Sequence, residues 1–145
     1  MKLQKNTLLA LYSVLDFAGD AERHIPAAEI AAKYGVSPHH LAKVLAQLAR
    51  SGIVASVRGA GGGYRFIGNA KRLTLMDIIQ MFEDLGNGAA ATAAPQSRPV
   101  EAALGLVLSE IDENAKATFK SITLATMLRL IERQQAGADP SPGPR

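Results

Sequence analysis

Apolar positions recur along this chain with a helical period, broken once by two short runs that behave as strands. Over 5–18, Leu8, Leu11, Leu15 and Ala18 fall three or four residues apart, predicting a helix opened by Asn6 or Thr7 and closed at Gly19-Asp20. A short second helix opens at Pro26, whose missing N–H has no partner to lose in a first turn, and stops at Gly35 with Ile30 and Ala31 inward. The third segment carries the clearest signals. Ser37 suits an N-cap, Pro38 the first helical position, and Gly52 follows the last turn. Leu41, Val44, Leu45 and Leu48 share one face of it, while His39, His40, Lys43, Gln47 and Arg50 share the other.

The runs 53–57 and 64–67 flank Arg58-Gly59-Ala60-Gly61-Gly62-Gly63, which predicts a β-hairpin with a glycine-rich tip. Thr74 with Asp77 has the spacing of a capping box, opening a fourth helix whose apolar residues are Leu75, Ile78, Ile79 and Phe82. Periodicity lapses over 86–99 and resumes in a long helix from residue 100, with Val100, Leu104, Val107, Leu108, Ile111 and Ala115 as its stripe. A last helix runs from Thr123 to about Gln135 with Leu124, Met127, Leu128 and Ile131 inward, and 136–145, with three prolines, is expected to be a disordered tail.

The order helix, short helix, tight turn, amphipathic helix and hairpin predicts a mainly α fold, a winged helix-turn-helix with a two-stranded wing followed by a long C-terminal dimerisation helix. A helix placed in the major groove needs one apolar face to anchor it and one polar face for base edges and phosphates, as the third segment has. Ser37, Pro38, His39, His40, Lys43, Gln47, Arg50 and the wing residues Arg58, Gly59, Gly61, Gly62, Gly63 and Tyr64 are therefore the candidate DNA-binding set. Taken singly, each has a plainer reading as solvated surface or flexible turn. A glycine loop cradling a nucleotide would require a following Gly-Lys-Ser/Thr and helix, whereas a strand follows here. Leu104, Val107, Leu108 and Ile111 are the candidate dimer seam, on a helix too long for a chain of 145 residues to cover by itself.

Charge sharpens this picture. Residues 1–72 carry ten Lys/Arg against four Asp/Glu, a net +6, and residues 73–145 carry six against nine, a net −3. A basic half facing an acidic remainder implies that the first half meets a polyanion. Cysteine is absent, which removes disulfides, thiol catalysis and thiolate-held metals. No run of 18 apolar residues is present and the N-terminal residues lack a signal-peptide pattern, so the expectation is a cytoplasmic DNA-binding protein that is not an enzyme and has no membrane partner.

Three segments, Val36-Ser37-Pro38-His39-His40-Leu41-Ala42-Lys43-Val44-Leu45, Ser51-Gly52-Ile53-Val54 and Ser56-Val57-Arg58-Gly59-Ala60-Gly61-Gly62-Gly63-Tyr64, resemble the bacterial winged-helix regulators that include the iron–sulfur cluster regulator and the nitric-oxide-sensitive repressor. The likeness runs from Met1 to about Gln135, and at His40 and Ala42-Lys43 it is nearer to the nitric-oxide sensors. It implies a homodimer on double-stranded DNA, reading a palindromic operator of iron–sulfur, redox or nitrosative-stress genes. It also implies an organisation of 1–85 for DNA binding, 86–99 as a sensor-type loop and 100–135 for dimerisation. Cluster-binding members carry three cysteines between the fourth helix and the dimer helix. Aligned on Ile122-Thr123-Leu124, the last falls on Ala102, while Ala90 and Ala94 are the best matches for the others, with Ala91 a rival for the first. Either the chain is a cluster-free relative, its cysteines have been exchanged for alanine, or the segment is simply an alanine-rich linker. As it stands no cofactor is expected; with cysteines at those positions a 2Fe-2S or 4Fe-4S cluster would be. The alternatives carried forward are a cluster-free regulator sensing a small metabolite or partner protein, and a protein-interaction module that does not bind DNA.

Overall fold

The computed structural model describes residues 2–83 and 98–138. In chain order it has α1 (Lys5–Gly19), α2 (Ala27–Tyr34), α3 (Pro38–Arg50), β1 (Val54–Val57), β2 (Gly63–Phe66), α4 (Leu75–Phe82), α5 (Pro99–Ser121) and α6 (Leu124–Ala138). The mainly helical class with one small sheet is the expected one. No helix among the described residues is long and apolar enough to cross a membrane.

The core forms where α1 lies across α3, α4, β2 and α6. Phe17, Leu41, Leu45, Leu48, Ile78 and Ile79 are completely enclosed there, each such side chain contributing about 1.5–3 kcal/mol of transfer free energy. Because α1 is covered by four elements, its buried arc is wider than a single stripe and is rotated from the expected one. Thr7, Leu9, Ala10, Leu11, Ser13, Val14 and Phe17 are buried, while Leu8, Leu15 and Ala18 lie half-buried at the edge. The cap also moves. Gln4 occupies the N-cap position without a side-chain bond, and Thr7 sits inside the helix, donating its hydroxyl to Glu83 Oε1 at 2.8 Å. The Gln4 N–H donates to the same oxygen at 2.6 Å, so the end of α4 is tied to the start of α1.

β1 and β2 pair antiparallel in the register Val54↔Phe66 to Val57↔Gly63, each run starting within one residue of its expected place. Ile25, before α2, adds a short third edge: it exchanges two backbone hydrogen bonds with Tyr64 at 2.8 and 2.9 Å. That crossing needs Gly63, since a Cβ there would lie 2.6 Å from the backbone of Ile25.

The start of α6 is clamped to the start of α4. Leu75 N–H donates to Ile122 O at 2.9 Å and Leu124 N–H to Leu73 O at 2.8 Å, and Leu124 is fully buried. The expected capping box of Thr74 and Asp77 is present in both directions. α6 continues through Gly137 to Ala138, three residues past its expected end and into the expected tail; residues 139–145 lie outside the described ones. Between these anchored elements α5 runs for 23 residues without one buried side chain.

Candidate nucleic-acid interface

The helix-turn-helix is set by its turn. Gly35 ends α2 in the left-handed conformation (φ 64°), a backbone state open to glycine at no steric cost, and Val36 N–H returns to Ala31 O at 3.0 Å. Two residues later Ser37 caps α3, its hydroxyl oxygen accepting from the His40 N–H at 3.5 Å, and Pro38 takes the first turn. With Leu41, Val44, Leu45 and Leu48 at most 2% exposed, α3 is pinned to the body by its apolar face. Ser37, Pro38, His39, His40, Lys43 and Arg50 are left in solvent on the other.

The wing tip presents Arg58, Gly59 and Gly61 to solvent. Behind it two glycines allow a close approach of backbone. A Cβ at Gly62 would collide with the carbonyl oxygen of Val57 and lie 2.8 Å from that of Gly59, so Gly62 is demanded by the hairpin itself and Gly63 by the crossing of Ile25. Tyr64 likewise faces inward: it is half-buried, its ring centroid is 6.2 Å from that of Phe17, and its backbone pairs with Ile25. These three residues shape the wing from behind its exposed tip.

Gln47 is tied to the body of the fold. Its side-chain amide donates to the Met81 carbonyl at 2.6 Å, turned toward α4 and half-buried. A polar residue at the border of the two faces of α3 has been used to tie the helix to α4. The tie joins residues 34 positions apart, which helical periodicity does not register.

Electrostatically the surface is open. The ion pairs among the described residues are Arg23–Glu29, Lys33–Asp16 and Lys116–Glu113, none of them on α3 or the wing. Lys43, Arg50 and Arg58 thus have no carboxylate neutralising them among the described residues, and α3 has no acidic residue in its first turn. Exposed cations with no ion-pair partner among the described residues suit a surface that meets phosphates.

At the far end of the molecule Val100, Leu104, Val107, Leu108 and Ile111 are 53–69% exposed along one side of α5. Ala102 lies in the first turn of that helix, its N–H bonded to Arg98 O at 3.0 Å, rather than in a loop. Ala90, Ala91 and Ala94 lie outside the described residues. Methyl side chains offer no electron pair to iron, the chain has no cysteine, and no group of three His, Asp or Glu able to hold a metal occurs among the described residues. The donor set does not fit an iron–sulfur cluster.

The profile of the Rrf2 family, described as iron-dependent transcriptional regulators, matches residues 3–130. The chain belongs to the Rrf2 family. It is 44% identical over 142 residues to BadM of Rhodopseudomonas palustris, named as an HTH-type transcriptional regulator, covering 98% of this chain and 90% of BadM. To the HTH-type transcriptional regulator IscR of Aliivibrio salmonicida it is 34% identical over 119 residues, 81% of this chain; it spans only 54% of that protein. Among solved structures, T. potens IscR superposes with a TM-score of 0.75 at 26% identity, covering 93% of this chain and 91% of the other. CymR of B. subtilis, the global cysteine regulator, shares the fold with a TM-score of 0.73 at 24% identity, over 90% and 98% of the two chains. This Rrf2 chain is therefore a transcriptional regulator with a DNA-binding winged helix, and not an enzyme.

Proposed function

We propose that the chain works in the cytoplasm as a homodimer on a palindromic operator, with α3 in the major groove and the wing on the flanking backbone. The observation that carries this is that His39, His40, Lys43 and Arg50 of α3 and Arg58 of the wing are all exposed, with no ion pair to any of them among the described residues. Lys43 and Arg58 contact phosphates, with Gly59 and Gly61 letting the wing tip approach, and His39 and His40, near the start of α3, face base edges. Residues 1–85 form the DNA-binding unit. Residues 100–135 supply the dimer, through Leu104, Val107, Leu108 and Ile111, and genes of iron–sulfur, redox or nitrosative metabolism are the target class. Fluorescence-anisotropy titrations of random-sequence duplex DNA at 50 and 200 mM salt test the DNA half. A protein making several phosphate contacts loses affinity steeply across that interval; no binding at either concentration would leave the protein-interaction reading in its place.

With no cysteine in the chain and no substitute donor set among the described residues, regulation by a cluster is set aside, and a small metabolite or a partner protein takes its place as the signal. The observation favouring a metabolite is an apolar cavity beside α3.

A further inference from the structure

A cavity of about 250 Å³ opens between α1, the end of α2 and the start of α3. Its walls are Leu8, Leu9 and Val36 together with Tyr12 and Tyr34, and its two polar members are Lys5 and His40. We propose that this cavity binds a small apolar monocarboxylate, ring or short alkyl body inward and carboxylate toward Lys5 and His40, and that occupancy weakens DNA binding. The regulatory half rests on the DNA-binding reading above; the binding half stands without it.

Size limits the ligand first. A dry apolar cavity of about 150 Å³ holds one benzene ring, so this one takes a single ring or a chain of similar bulk plus a small polar group. Charge then selects among such bodies. No Asp or Glu lines the cavity, and Lys5 has no ion pair among the described residues. The carboxylate behind the wall, Asp16, is already engaged by the Tyr34 hydroxyl at 2.6 Å and by Lys33 Nζ at 3.0 and 3.1 Å. Burial, helped by the bond to Asp16, raises the Tyr34 phenol above its ordinary pKa, so it adds no negative charge to the wall. The rings of Tyr12 and Tyr34 are stacked 5.1 Å apart and 21° from parallel, forming a stiff aromatic wall although Tyr12 is 44% exposed. A single exposed tyrosine is ordinary. A concavity walled by three aliphatic and two aromatic side chains, whose only ionisable members besides the tyrosine phenols are basic, has the composition of a ligand site.

The link to DNA is His40, which belongs both to the cavity and to the exposed face of α3. A carboxylate held there occupies its ring and adds negative charge where phosphates would approach.

Isothermal titration of the full chain with phenylacetate, 3-phenylpropionate and hexanoate tests the site, with 2-phenylethanol and phenethylamine as uncharged and cationic controls. At least one carboxylate is expected to saturate, at least tenfold tighter than either control. Lys5→Gln should erase that preference, and Tyr12→Ala should weaken binding about tenfold. Both positions are exposed, and thermal melts matching the parent protein confirm folding. The site is overturned if none of the three acids saturates, if 2-phenylethanol binds as well, or if Lys5→Gln binds unchanged. Binding that appears only in Leu108→Glu monomers would mean that a second copy fills the cavity, and overturns it too. Anisotropy with duplex DNA then tests the regulatory half. Saturating carboxylate should lower affinity severalfold in the parent and not in Lys5→Gln; unchanged affinity in the parent overturns that half alone. Carboxylate binding without any DNA binding would instead overturn the DNA reading and leave the site standing.

Discussion

Helices α3 and α5 are both amphipathic, yet the fold uses their faces in opposite ways. α3 hides Leu41, Val44, Leu45 and Leu48 and offers its polar side to solvent. α5, about 34 Å long at 1.5 Å per residue, has no fully buried side chain, rests on the body through half-buried residues such as Phe119, and offers its apolar stripe to solvent. In α3 the apolar face is an anchor and the exposed polar face is where recognition is placed. In α5 the polar face is ordinary solvated surface, and the exposed apolar stripe is the part that calls for a partner. The same pattern on paper thus marks two different surfaces, one that we propose for a polyanion and one that we propose for a second copy of the chain.

The largest effect should come from charging the open stripe. Leu108→Glu should give monomers by light scattering, and operator avidity should fall about 10²–10⁴-fold as two half-site contacts become one. Dimers that persist would move the interface elsewhere, toward α6. Leu45→Ala probes the hidden stripe and should behave in the reverse way. It removes fully enclosed methyl groups at a cost of about 2–5 kcal/mol in denaturant unfolding, with assembly at low temperature unchanged. Were the two substitutions to have the same consequences, the contrast between the helices would be lost.

Within α3 the contrast sharpens to neighbouring residues. His39→Ala or His40→Ala should shift base preference in a selection from random duplexes by about 1–3 kcal/mol at the affected position. Gln47→Ala should leave preference alone and lower stability by about 0.5–1.5 kcal/mol, the net worth of its bond to Met81. A changed preference in Gln47→Ala, with stability intact, would return that side chain to the groove. Smallest are Lys43→Ala and Arg58→Ala, each of which should weaken binding to all sequences alike and flatten the salt slope by about one. An Arg58→Ala protein with altered base preference alone would put the wing arginine in a groove.

The DNA-facing helix was almost entirely legible from sequence because its signals are local. The cap at Ser37, the proline at Pro38, the four-residue apolar face and the glycine at Gly52 all act within one or two turns. What escaped notice depends on partners far along the chain. Thr7 looked like a helix cap and is instead a buried donor to Glu83, 76 residues away. Ser13 is buried in the same helix, where it is satisfied by the Leu9 carbonyl. Motif and periodicity put Tyr64 and Gln47 in the candidate DNA-binding set; the contacts they make with Phe17, Ile25 and Met81 register in neither signal. The one clue available was that a polar side chain at an apolar-face position, as at Thr7, must find a partner when buried. The stripe of α5 was legible for the opposite reason: nothing within the described chain competes for it.

Hydroxyl-radical footprinting on a duplex selected from a random pool tests both surfaces at once. A dimer bound through two α3 helices should protect the backbone in a two-fold-symmetric pattern, its two major-groove centres one helical turn, about 34–36 Å, or a whole number of turns apart. A single asymmetric patch of protection, undiminished by Leu108→Glu, would contradict the account.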